Sequence, residues 1–234
     1  MHSRTLPASL ASTRHALHRV AEHVVSPARH AVTGRIGLRP APGGFTTPSF
    51  GDDGRTVAVE GVDIVVRDSA GERRAPLTTI RAAAEYVGVE PGAPADVYTP
   101  STPLDPDAPL DLDPEAAALL AEWYATGQQA LSRLAEEIAE DKPSEAQLWP
   151  EHFDLGITAA AVNYGVSPGD EHVVDPYLYV GPHGGPPGDG DEFWNAPFGA
   201  VRTIHDIGSV DDAVAFFRAG RERAHRAAEQ RRSS

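Results

Sequence analysis

Residues 114–143, PEAAALLAEWYATGQQALSRLAEEIAEDKP, decide how the rest of the chain is read. Leu120, Tyr124, Gly127, Leu131, Leu134 and Ile138 recur at 4-3-4-3-4 spacing, which lines one face of a helix. Asp113 before Pro114 supplies an N-cap and a first-turn proline, and Pro143 closes the run. A glycine on that seam predicts the close approach of another backbone at Gly127. The helix is a core element or one half of a helix pair, and its 120–138 seam is where a structural subunit would oligomerise.

Upstream, residues 90–114 carry seven prolines and few large apolar groups, which reads as a stiff, extended connection too poor in core residues to fold alone. Before it, Leu17, Val20, Ala21, Val24, Val25, Ala28 and Val32 form a helical stripe within 12–32, with Pro27 kinking or ending the helix. Two strand-like runs follow, Arg35–Leu38 and Thr56–Arg67, the second kinked at Gly61. A short helix over Thr78–Val87 stops at Gly88.

Downstream, Phe153–Tyr164, Tyr177–Val180 and Ala200–Ile204 read as strands, and residues 181–199 as a long irregular loop. Ser209 caps a last helix whose apolar face is Val210, Ala213, Val214 and Phe217. The resulting fold class is α+β, with antiparallel-rich sheets packed with helices. Its parts are a helix-strand-helix half over 1–90, the connection 91–113, and a second such half over 114–234 carrying the motif region. The helices at 76–88 and 208–220 share a hydroxyl cap, an alanine-rich turn and a terminal glycine. Either two pseudo-repeated halves or a chance likeness of two short capped helices accounts for this.

Charge and composition exclude several functions. The 234 residues carry a net charge of −14, concentrated as 31 acids against eight basic residues in 51–217. Such a body repels phosphate backbones, so nucleic acid is not expected as a partner. The ends are basic: residues 1–50 hold six arginines against Glu22, and 218–234 hold six against two glutamates. Terminal helices that ion-pair with the acidic body are the simplest reading. With no cysteine, the chain has no disulfide, thiolate metal site or thiol nucleophile. It also lacks an apolar stretch of about 18 residues and a signal-like N-terminus, which predicts a soluble cytoplasmic protein of bacterial style with no membrane partner. His15, His18 and His23 share a polar face with Arg14, Arg19 and Glu22, and read as a solvated surface.

The densest chemistry lies in 149–183. It comprises WPEHFD, then NYGVSPGDEH, then DPYLYVGPH. Over about residues 148–200 these motifs (WPxHFDL, NxGxSPGDE, PYxYV) resemble an uncharacterised bacterial family known only as a domain of unknown function. The resemblance implies relatives and not a reaction. Gly165-Val166-Ser167-Pro168-Gly169 matches the G-x-S-x-G nucleophile elbow, but Pro168 has no N–H for an oxyanion hole and no helix pattern follows. Ser167–Asp170 suits a type II turn instead.

Two sites remain. Asn163 and Tyr164 end one strand, Tyr177 and Tyr179 alternate on the next, and Trp194 and Asn195 lie in the long loop. Converging at one sheet edge, they would bind a small molecule or a protein partner, and Asp170, Asp175 and Asp191 nearby would favour a cationic ligand. Alternatively, His152 and Asp154, two apart on a strand, project from one face. With His183 (or His172 or His205) they would hold a divalent metal in a mononuclear metal-dependent enzyme. Binding through the 149–198 surface is the leading expectation and metal catalysis the second; the residues themselves do not decide whether the protein is an enzyme.

Overall fold

The computed structural model describes residues 5–187 and 190–233. The chain divides into two units. The N-terminal unit comprises Thr5–Ala125 and Gln147–Asp154, and the C-terminal unit comprises Thr126–Ala146 and Leu155–Ser234. The fold is α+β, with antiparallel meanders flanked by helices. Among the described residues no helix is long and apolar enough to cross a membrane.

The N-terminal unit opens with a continuous helical run: α1 (Leu10–Val20), a π turn (Ala21–Val25) and α2 (Ser26–Thr33). Pro27 neither ends the helix nor breaks it. It sits in the first turn of α2, where its missing N–H matters least, and the widened π turn before it takes up the strain. Gly34 then closes the helix in the left-handed region at φ +66°. The meander β1 (Arg39–Ala41), β2 (Gly44–Thr46), β3 (Thr56–Glu60), β4 (Asp63–Asp68) and β5 (Gly71–Pro76) is antiparallel throughout.

Several strand expectations change. Thr56–Arg67 is a hairpin rather than one kinked run, because Gly61 at φ +61° opens a two-residue turn. Of Arg35–Leu38 only Leu38 pairs, exchanging two hydrogen bonds with Leu148 of β6 (Gln147–Trp149). Strand β5, GERRAP, has no apolar alternation. It is a charged, exposed edge knitted to β4 by Arg67–Glu72 and to β3 by Arg74–Glu60. Helix α3 (Ile80–Val87) is capped as expected, by the Thr79 hydroxyl on Ala82 N–H and by Gly88.

The proline-rich connection is no boundary between units. Residues 91–113 belong to the N-terminal unit, where Leu110 N–H donates to Thr78 carbonyl and Arg81 grips Asp107 with two bonds. The division falls instead inside α4 (Pro114–Glu137), which Asp113 caps through Glu115 N–H.

In the C-terminal unit β7 (Asp154–Ala159), β8 (Val162–Ser167), β9 (Tyr177–Pro182) and β10 (Ala200–Thr203) run in the order β10-β9-β8-β7. Phe153–Tyr164, read as one strand, contains the turn Ala160-Ala161, both at positive φ (47° and 61°). The last half of α4 and α5 (Val210–Ser233) cover one sheet face. A Cβ on Gly127 would lie 2.4 Å from Val166 Cγ2, and one on Gly220 2.7 Å from Val180 Cγ2. Gly127 therefore marks a close approach, of a strand side chain rather than a backbone. Gly220 lies within α5 and does not end it, so the residue-level likeness to 76–88 fails there. The shared order of helix, antiparallel meander and helix persists.

Ser209 caps α5 through Asp212 N–H as expected. The arginines of this helix also find acids, with Arg218 on Glu137, Arg221 on Asp141 and Arg223 on Asp191. Two arginines of the first helical run behave differently. Arg19 and Arg29 donate to the carbonyls of Asp105 and Gly37.

Two stability outcomes follow from these contacts. Replacing Ala160-Ala161 by Asn-Gly relieves two left-handed alanines, and urea unfolding should show a gain of about 1–2 kcal/mol. Gly127→Ala should cost about 1–3 kcal/mol, and much of that loss should disappear in the Gly127→Ala/Val166→Ala double variant. Strictly additive costs would mean the two residues do not meet.

Candidate functional site

Strand parity sorts the expected binding residues. On β8, Val162, Tyr164 and Val166 face the helices, while Asn163, Gly165 and Ser167 face away. Tyr164 is fully buried, edge-on to Phe217 at 6.1 Å, and burial pushes its phenol up. It is a core residue. Asn163, Tyr177 and Tyr179 do share the helix-free face. There the Tyr179 ring lies across Gly165, where a Cβ would be 2.1 Å from its Cζ, and meets Phe198 edge-on at 6.3 Å.

Most of the polar tips in this region are already engaged. Tyr177 donates to Asp170 Oδ2 at 2.5 Å. Against the burial that would raise it, this bond and those from Val173 and His172 N–H hold the Asp170 carboxyl below its ordinary value. Asn163 Oδ1 accepts from Thr158 at 2.7 Å and lies 3.0 Å from His183 Nε2. The Asn195 amide pairs both ways with the backbone of Val201, extending the edge of β10. Ser167 is 4% exposed and its hydroxyl accepts from Gly169 N–H, whose φ of +96° fits the turn and not an elbow.

The metal set is not assembled. Phe153, at φ +53°, turns the chain between His152 and Asp154, so the period-two geometry that would align them does not hold. His183 belongs to the other unit and is engaged by Asn163. Among the described residues no group of three His, Asp or Glu side chains is placed to hold a metal.

A polar cluster that the sequence reading assigned to solvent is instead buried in the N-terminal unit. His15 is exposed as expected, but Glu22 and His23, on the π turn, are 0% and 1% exposed. Glu22 accepts from Ser101 N–H (2.9 Å), Thr102 N–H (2.8 Å) and the Thr102 hydroxyl (2.5 Å). It thereby fastens the proline-rich segment to the helix. His23 Nε2 lies 3.0 Å from the same hydroxyl. The His18 ring stacks on Phe153 (5.2 Å, 10°), with Nε2 2.8 Å from Pro150 carbonyl, which requires the proton on that nitrogen. Burial lowers His18 from 6.5 to about 4, and burial raises the Glu151 carboxyl beside it. The signal available in the sequence was Glu22 itself, the lone acid among residues 1–50.

A hollow lies in the C-terminal unit. A cavity of about 660 Å³ is lined by Phe193, Arg202, Asp206, Asp212, Phe216 and Arg223, with Ile207, Ala215 and Ala219. Residues 212, 215, 216, 219 and 223 recur along one side of α5, Arg202 comes from β10, and Phe193 comes from the long loop. Phe193 and Phe216 pack at 5.5 Å. Arg223 Cζ stands 4.5 Å over Phe193 while its Nε binds Asp191 at 2.8 Å. Arg202 Cζ stands 5.9 and 5.7 Å over the two rings, and no carboxylate pairs with it among the described residues.

The acids of this cavity are committed. Asp206 accepts from the Thr203 hydroxyl, and Asp212 accepts from Gly208 N–H and the Ser209 hydroxyl at the helix cap. Trp194 packs edge-on against Phe193 at 5.0 Å, and its buried Nε1–H has no acceptor. Of the acids expected to attract a cation, Asp170 serves Tyr177, Asp175 lies 3.0 Å from His205 Nε2, and Asp191 serves Arg223. The lining thus carries two arginines and two aspartates, and of the two guanidinium groups Arg202 has no carboxylate partner among the described residues. Sequence reasoning reached Trp194 and missed Arg202, Phe216 and Arg223, which only the tertiary fold brings to it.

His18 gives the N-terminal unit a pH signature. Its folded value lies below its unfolded one, so the unfolded chain binds the extra proton. The contribution is complete above about pH 6.5 and is lost as pH falls toward 4. Between pH 7 and 5 the unfolding free energy should fall about 2 kcal/mol further than in a His18→Gln variant. Parallel pH profiles for the two proteins would show that the ring is not buried neutral.

No family model, curated protein or solved structure matches the chain.

Proposed function

We propose that the protein is a binding protein and that its ligand is a compact organic anion with a flat apolar body, held in the C-terminal unit beside Trp194. One observation carries this reading: two guanidinium groups lie over two phenyl faces in a cavity of about 660 Å³, a volume suited to a small molecule. Guanidinium forks match carboxylate and phosphate oxygens, and the phenyl rings offer stacking area to an apolar body. Trp194 lies outside the lining and backs the Phe193 ring edge-on. No histidine, serine, lysine or tyrosine lines the cavity, which favours binding over catalysis.

A second reading keeps Asn163 and Tyr179, with Tyr177 buried beneath them at 6% exposure, as a contact for a protein partner on the helix-free sheet face. It is favoured by Phe198, which is 43% exposed at the edge of Tyr179. We place the protein in the cytoplasm, to which a cysteine-free chain is indifferent in redox terms, and keep nucleic acid outside its partners on the grounds of its charge. Kinship with the uncharacterised family rests on the motifs of residues 148–200.

A thermal-shift panel of aromatic carboxylates and phosphate monoesters tests the first reading. At least one compound should raise the midpoint, and Arg202→Gln should weaken it about tenfold or more while leaving unliganded stability within about 0.5 kcal/mol. Compounds that bind Arg202→Gln as tightly as wild type would remove the cavity from consideration. Loss of binding in Tyr179→Ser with Arg202→Gln unaffected would move the site to the sheet face.

A further inference from the structure

Arg29 is a buried cation that the N-terminal unit does not neutralise. It lies on α2, is 9% exposed, and donates from Nη1 to the Gly37 carbonyl at 2.5 Å. Its buried Nε–H has no acceptor. No carboxylate pairs with it among the described residues. Its charged neighbours are cations: burial first, then Arg35 and Arg39, lower its guanidinium from the ordinary value.

A carbonyl satisfies one N–H but not a net charge, and a buried unpaired charge is costly enough that proteins rarely keep one without a partner. The helix end offers little relief. Gly34 N–H already takes the His30 carbonyl at 2.8 Å, and the Thr33 hydroxyl takes that of Arg29 at 3.0 Å. The chain then folds back on the helix, tied by Ser26 to Ile36 carbonyl and by Arg29 to Gly37 carbonyl. This holds exposed Arg35 near the buried guanidinium. The surrounding residues 1–50 carry Glu22 as their only acid, and that carboxylate is occupied by Ser101 and Thr102.

We infer that the crook between α2 and residues 35–39 binds a phosphate-type oxyanion, with Arg29 as the buried fork and Arg35 as the exposed arm. Two guanidinium charges suit a doubly charged phosphate better than a single carboxylate, and their planes offer it paired N–H donors. This site lies in the N-terminal unit and is independent of the cavity beside Trp194.

The test uses the full chain with inorganic phosphate, against sodium chloride at matched ionic strength and against sodium acetate. Phosphate should raise the thermal midpoint in a saturable way, and acetate should do so less. Arg29→Met keeps the length of the side chain and removes its charge. It should unfold at the wild-type midpoint or above it in phosphate-free buffer, yet lose the phosphate response, with affinity at least about tenfold weaker. Arg35→Ser, at an exposed position, should retain folding and weaken phosphate several-fold. The inference is overturned if phosphate acts no differently from chloride, or if Arg29→Met retains the full phosphate response. Should Arg29→Met fail to fold, an unchanged phosphate affinity in Arg35→Ser overturns it equally.

Discussion

Everything proposed for the C-terminal unit depends on how closely α5 can lie against its sheet. That distance is set where Gly220 meets Val180, a contact with no room for even one methyl group. Once the backbone is seated there, the helix period does the rest. Phe217 meets Tyr164 in the core, while Phe216, Ala219 and Arg223 are carried to the rim where Phe193 and Arg202 complete the cavity. Gly127 on α4 makes the same kind of contact with Val166, so both helices are seated by a glycine opposite a β-branched strand residue. Glycine inside a helix weakens it locally by about 1 kcal/mol. Its use at both positions indicates that close packing outweighs propensity there.

The helices were legible because their signals are local. Apolar periodicity, Thr79, Asp113 and Ser209 at the N-caps and Gly88 at a C-terminus all act within a turn of the residues that report them. Turns without turn residues were not legible. Ala160-Ala161 has no glycine or asparagine, so a hairpin looked like one long strand, and tertiary pairing holds two alanines where their own preference would not place them. Strand β5 was hidden for a different reason. Its stability comes from cross-strand ion pairs, which leave no hydrophobic alternation.

The candidate site was half legible. The aromatic loop announced itself at Trp194, but whether a tyrosine is core or surface depends on strand parity. Parity in turn depends on where the hidden hairpin turns. That is why Tyr164 and Tyr179, read as one surface, lie on opposite faces of the sheet. The polar face of α1 misled in the opposite sense. Histidines beside a glutamate look solvated until a proline-rich segment, with backbone donors that need acceptors, lies down on them.

Glu22 and Arg29 show why burial of a charge is informative in one case and not in the other. They stand two helical turns apart on the same run, both buried, with opposite sign, and neither takes the other as its partner. Glu22 is surrounded by two amide N–H groups and a hydroxyl, a donor set that spreads its charge over fixed dipoles and leaves it nothing to recruit. Arg29 has one carbonyl, an unused Nε–H and like-charged neighbours. A closed set of hydrogen bonds is a structural fastening, whereas an open set on a buried ion is a demand for a counter-charge. The asymmetry between these two residues, and not basic composition alone, locates an anion at the end of α2.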